Sequence, residues 1–119
     1  VSKGWLLDRM LGLPPASARD VAVHADITVP MRDGVVLRAD RYVPAGREDA
    51  PVVVVRSPYG RKGLWARLYC LPLARRGYQV VMQSCRGIDD SEGEFIPFAE
   101  RDDGHDTVGW LRRQPWYPG

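Results

Sequence analysis

From Val21 to Pro30 apolar and polar residues alternate with a period of two, placing Val21, Val23, Ala25, Ile27 and Val29 on one face. That spacing predicts a strand with one buried side. Arg32-Asp33-Gly34 carries a hairpin signal. Val35 to Val43 then reads as a second strand, with Val35, Leu37, Ala39 and Arg41 opposing Val36, Arg38, Asp40 and Tyr42. A polar loop from Pro44 to Pro51 leads into Val52-Val53-Val54-Val55. Four β-branched residues in a row do not suit a half-wet sheet. They predict a strand over Val52 to Arg56 covered on both faces, as in parallel sheets under helices. Pro58 and Gly60 break it and send Tyr59 into a loop at its carboxyl end. Open α/β sheets bind ligands at that end of their strands.

Leu64 to Arg76 carries a helical stripe of Leu64, Leu68, Leu71 and Ala74. Pro72 inside it predicts a kink or a late start, and Gly77 a stop. Tyr78 to Met82 reads as another buried strand, and Ser84 to Phe98 as a long loop rich in glycine and acid. The last helix, Glu100 to Arg113, is acidic early and basic late, as the helix dipole favours. Its expected inward stripe is Gly104, Val108 and Leu111, flanked by Thr107 and Trp110. A hairpin followed by strand, helix, strand, helix predicts an α/β fold. Its mixed sheet is antiparallel at one edge and parallel inside. The crossover from Val52–Val55 to Tyr78–Met82 is expected to be right-handed.

With 119 residues the chain has room for one small domain, and its 45% apolar and 27% charged residues are ordinary for a globular protein. Net charge is only +2, and Arg75-Arg76 and Arg112-Arg113 sit near helix ends, where cations complement the dipole. Without a basic stripe or stacking platform, nucleic acid is not an expected partner. Cys70 and Cys85 share no short spacing and no histidine cluster, which argues against a metal or redox site and for free thiols in a reducing, cytoplasmic compartment. In the first 20 residues Asp8 and Arg9 split the apolar stretch around Trp5-Leu6-Leu7, so the segment reads as a short amphipathic helix ending before Pro14-Pro15 rather than a secretory signal. No membrane span is expected.

Candidate chemistry is sparse. None of Ser2, Ser17, Ser57, Ser84 and Ser91 has the flanking glycines of a nucleophile elbow. His24 and His105 lack a nucleophile in reach and read as structural. Cys85 follows a strand but reads as an unreactive loop thiol. Arg86 with Asp89, Asp90, Glu92 and Glu94 lacks calcium-loop spacing and reads as a loop braced by an Arg–carboxylate contact. No cofactor and no metal are implied. Tyr59 reads either as a loop aromatic covering the core or as a group aimed at a ligand.

An ordered set of motifs goes further. Val29-Pro30-Met31-Arg32-Asp33-Gly34-Val35 is followed by Asp40-Arg41-Tyr42 and Arg56-Ser57-Pro58-Tyr59-Gly60. Arg86-Gly87, Ser91-Glu92-Gly93-Glu94-Phe95, Glu100, Asp102-Asp103-Gly104, Asp106, Trp110-Leu111 and Gln114-Pro115-Trp116 complete it. In this order they resemble the N-terminal part of the cocaine-esterase and X-Pro dipeptidyl-peptidase family of α/β-hydrolases. The resemblance runs from about Val21 to Gly119, and residues 1–20 would be an N-terminal extension. It implies acyl transfer to a serine activated by histidine and aspartate, then to water. The substrate would be a small ester, an amide or a peptide. It also implies that Tyr59 gives its hydroxyl hydrogen to the developing oxyanion, a role that a phenol suits because it keeps its proton at neutral pH.

The family's elbow would follow Pro115-Trp116-Tyr117-Pro118-Gly119. The resemblance therefore implies that the nucleophile, the acid and the histidine are not in this chain, which by itself would be inactive. In this fold the Val52–Val55 strand lies between the next strand in sequence and a fifth one, so an unpaired apolar edge is expected. One departure is Ser84, where the family usually has an acid, and this puts a local brace in question. X-Pro peptidase, amino-acid ester hydrolase or acylase specificity, or a non-catalytic regulatory fragment, are the alternatives.

Overall fold

The computed structural model describes residues 20–119, the side chain of Trp65 aside. The expected N-terminal helix lies outside the described residues. The elements are β1 (Val21–Pro30), β2 (Val36–Pro44), β3 (Val52–Ser57), α1 (Leu64–Arg75), β4 (Gln79–Ser84) and α2 (Arg101–Arg112). The four strands form one mixed sheet in the order β1-β2-β4-β3. β1 with β2 and β2 with β4 are antiparallel, and β3 with β4 is parallel. The hairpin turn closes through the Gly34 amide on the Met31 carbonyl, with Gly34 at φ 86°.

Parallel register pairs Val53 with Val80 and Val55 with Met82 on one face, and Val54 with Val81 on the other. Each face has its own core. Under α2 lie Val29, Met31, Leu37, Ala39, Val81, Trp110 and Leu111, with Val52 and Val54 packed against them. Under α1 lie Tyr42, Ala66, Cys70, Ala74, Val80 and Met82, with Val55 alongside. The valine run of β3 is thus covered on both faces as expected. It is nevertheless only half-buried, because β3 is an edge strand of the described sheet. β4, paired on both sides, is the strand buried throughout. Beyond β3 no further strand stands among the described residues.

Three expected faces shift. α1 buries Ala66, Cys70 and Ala74, while Leu64 is exposed and Leu68 half-buried. Small residues one turn apart let a helix backbone lie close to a sheet, and the larger leucines take the flanks. α1 also starts at Leu64 and runs through Pro72, so no late start occurs. α2 turns Asp103, Thr107, Trp110 and Leu111 inward and leaves Val108 exposed. The Thr107 hydroxyl bonds within α2 to the Asp103 carbonyl (2.7 Å) and lies 3.1 Å from Gln83 Oε1, while the Asp103 carboxylate accepts from Arg86. The inward face is part polar, so apolar spacing alone misplaces it. In β1 the alternation breaks at a bulge between His24 and Ile27, where Asp26 has φ 58°, and Val23 faces solvent.

Candidate active site

β3 ends in a tight turn. The Gly60 amide approaches the Ser57 carbonyl at 3.5 Å, and the Tyr59 amide donates to Ser57 Oγ at 3.1 Å. Gly60 has φ 93°, a conformation that side chains other than hydrogen resist. Tyr59 is 85% exposed at the carboxyl end of β3. It lines an open cavity of about 430 Å³ together with Val55, Arg56, Ser57, Pro58, Tyr69 and Met82. Arg56 at the rim reaches Gln83 Oε1 (2.6 Å) and the Glu100 carboxylate (2.8 Å), tying the end of β3 to β4 and to the residue before α2.

The next residue fixes the turn. The Arg61 side chain is fully buried. Its Nε donates to Asp40 (3.1 Å), Nη1 to Ser84 Oγ (3.2 Å) and Asp90 (2.5 Å), and Nη2 to Asp26 (2.6 Å) and Asp90 (3.1 Å). Five bonds match the five N–H donors of a guanidinium. Burial alone would lower the guanidinium's pKa. The hydrogen bonds that Arg61 donates to Asp90, Asp26 and Asp40 outweigh burial and push it up, so Arg61 is a permanent cation. Conversely, Arg61 holds the Asp90 carboxyl below the usual range. From above, Asp89 accepts the Arg61 amide (3.2 Å) and the Ser84 hydroxyl (2.8 Å) on the same oxygen.

The neighbouring loop is braced, but not as the sequence suggests. Arg86 pairs with Asp103 (2.8 Å) and Asp33 (2.9 Å) rather than with Asp89, Asp90, Glu92 or Glu94. Its side-chain hydrogen bonds, to Asp103 and then to Asp33, raise the Arg86 pKa. Glu92 instead accepts the Val36 amide (2.8 Å). Asp89 and Asp90 belong to Arg61, an anchor that sequence spacing does not reveal. Its signals are faint: an arginine directly after a Pro-Tyr-Gly turn, and an acid inside the apolar alternation of β1. Ser84, the departure from the family pattern, still takes part in a brace, with Asp89 supplying the carboxylate beside it.

Ser91 Oγ accepts the Arg38 amide (2.9 Å) and donates to the Ser84 carbonyl (2.8 Å). His24 and His105 are exposed on β1 and α2. Burial pushes the Cys85 thiol up to about 11 and the Cys70 thiol to about 12, which leaves little thiolate at neutral pH. Among the described residues no His, Cys, Asp and Glu group has the arrangement of a metal site, and no helix is long and apolar enough to cross a membrane.

The fold and sequence have known relatives. Cocaine esterase of Rhodococcus sp. (strain MB1 Bresler) is 40% identical over 103 residues, 82% of this chain and 18% of the esterase. A CocE/NonD family hydrolase from Staphylococcus aureus superposes with TM-score 0.71 at 24% identity, over 85% of this chain and 22% of that one. An aminopeptidase from a marine-sediment Thaumarchaeota archaeon gives 0.67 at 25% identity, over 88% of this chain and 21% of its own. The sheet is thus that of the α/β-hydrolases, and the chain spans about a fifth of these relatives. The profile of the X-Pro dipeptidyl-peptidase (S15) family matches residues 33–119, from the hairpin turn through α2. The chain belongs to that family.

Proposed function

We propose that this chain is the N-terminal part of a serine hydrolase that cleaves ester or amide bonds through an acyl-enzyme, and that Tyr59 is one of its oxyanion donors. The observation that carries the proposal is the placement of Tyr59. A phenol stands exposed at the carboxyl end of a parallel strand, on an open cavity, in a chain of the S15 family. In α/β-hydrolases one oxyanion donor is the amide after the nucleophile, and the other comes from the loop after the third strand. Tyr59 follows β3 directly, which supports reading it as that second donor.

The nucleophilic serine, the aspartate and the histidine would be supplied by sequence outside residues 1–119. Two features support this. The chain spans 18% of cocaine esterase, and among the described residues no strand pairs with the outer edge of β3, where another strand could add. An ester substrate is favoured by the 40% identity to cocaine esterase.

The test uses the complete protein that carries this chain, with p-nitrophenyl acetate as probe. Tyr59→Phe keeps the ring and removes only the hydroxyl. Loss of one oxyanion donor lowers kcat about 10²–10³-fold, or about 3–4 kcal/mol of barrier, with KM nearly unchanged. An unchanged kcat would overturn the assignment.

A further inference from the structure

We infer that Arg61 is a positioning residue for Tyr59, setting through the turn backbone where the phenol hydroxyl stands. This rests on the oxyanion reading of Tyr59. The side chain of Tyr59 is 85% exposed, so its location depends mainly on the backbone of Pro58-Tyr59-Gly60. That backbone is clamped at both ends. Ser57 holds the start, its Oγ accepting the Tyr59 amide and its carbonyl facing the Gly60 amide. Arg61 holds the finish, two residues from the phenol.

The clamp reaches unusually far. One guanidinium collects Asp26 from the bulge of β1, Asp40 from β2, Ser84 from the end of β4 and Asp90 from the following loop. The bulge itself is shaped to this contact. Asp26 stands at φ 58°, and its amide donates to Asp40 Oδ1 (2.9 Å), the oxygen that also accepts Arg61 Nε. Asp89 closes the arrangement from above, lying so close to Gly60 that a Cβ there would meet its Oδ2 at 2.4 Å. A donor must stand within about 0.5 Å of its productive position, about 2.7–3.1 Å from the developing oxyanion, to act. An exposed two-residue turn does not reach that precision unaided. Every donor of Arg61 is spent on the scaffold, and none points at the cavity, so its role passes through Tyr59.

The experiment is a double-mutant cycle on kcat in the complete protein, with p-nitrophenyl acetate. Removing a buried arginine that faces three carboxylates risks misfolding. The primary variant is therefore Asp90→Asn, at a carboxylate half open to solvent that makes two of the five bonds, with Arg61→Lys and Arg61→Met beside it. Asp90→Asn and Arg61→Lys are expected to lower kcat several-fold with KM little changed. In the Tyr59→Phe background the same substitutions are expected to leave kcat where Tyr59→Phe alone puts it, since residues acting through one another do not add. Equal losses in both backgrounds would show a general structural role and overturn the inference. So would no loss in either background. If Tyr59→Phe itself leaves kcat intact, the oxyanion reading falls first, and that outcome is distinct from an additive cycle.

Discussion

Substituting glycine by alanine at two places separates conformational cost from steric cost. Gly46 and Gly60 both have positive φ, 74° and 93°. A Cβ at Gly46 meets nothing within 4 Å, whereas one at Gly60 meets Asp89 Oδ2 at 2.4 Å and its carboxyl carbon at 3.0 Å. Gly46→Ala therefore carries only the left-handed backbone penalty, about 1–2 kcal/mol. Gly60→Ala carries that penalty and must also displace Asp89. A carboxylate on so short a side chain cannot swing clear without releasing the Arg61 amide and the Ser84 hydroxyl. Leaving such partners unsatisfied adds about 1–3 kcal/mol. The readout is native-state hydrogen exchange of the Val80–Met82 amides in the complete protein, because β4 is buried throughout and exchanges only when the sheet opens. Gly46→Ala should speed that exchange about 5–30-fold. Gly60→Ala should add a further factor of about 5–150. Equal acceleration by the two variants would refute the close packing of Asp89 on the turn.

Three further outcomes follow from the same structure. Asp106 accepts the Arg32 side chain and amide, and these hydrogen bonds bring its carboxyl down to about 2. A depressed folded-state pKa gives stability that is present above the ordinary carboxylate range and lost as pH falls toward about 2. Asp106→Asn should therefore flatten the acid limb of a pH–stability curve below about pH 4, and an unchanged limb would contradict the pair. Cys70 and Cys85 should react with a thiol reagent at pH 7 only as fast as the fold opens, whereas rapid labelling of native protein would contradict their burial. The isolated 119-residue chain should hydrolyse p-nitrophenyl acetate no faster than buffer and associate through the edge of β3 that no strand pairs among the described residues. A sharp, reversible melting transition of a monomer would contradict the second part.

Element types were legible in the sequence because periodicity and punctuation agree. The alternation of Val35–Val43, the valine run, the glycine after α1 and the charge gradient of α2 each give the correct element to within a residue or two. Helix faces were less legible. Thr107 and Asp103 face inward because partners on β4 and in its following loop await them, and a one-dimensional apolar pattern carries no trace of a partner 17 to 24 residues away. The position of Tyr59 at the end of β3 follows from Pro58 and Gly60 alone. Its support does not. Arg61 draws on residues from 21 to 35 positions away in sequence, brought together only by a bulge and a mixed sheet.

The most direct test of the oxyanion assignment is a crystal structure of the complete protein with phenylboronic acid, whose tetrahedral adduct on a serine mimics the acyl-transfer intermediate. The account predicts a boronate oxygen about 2.7–3.1 Å from the Tyr59 hydroxyl. A boronate oxygen held by other donors, with the Tyr59 hydroxyl out of hydrogen-bond reach, would contradict it.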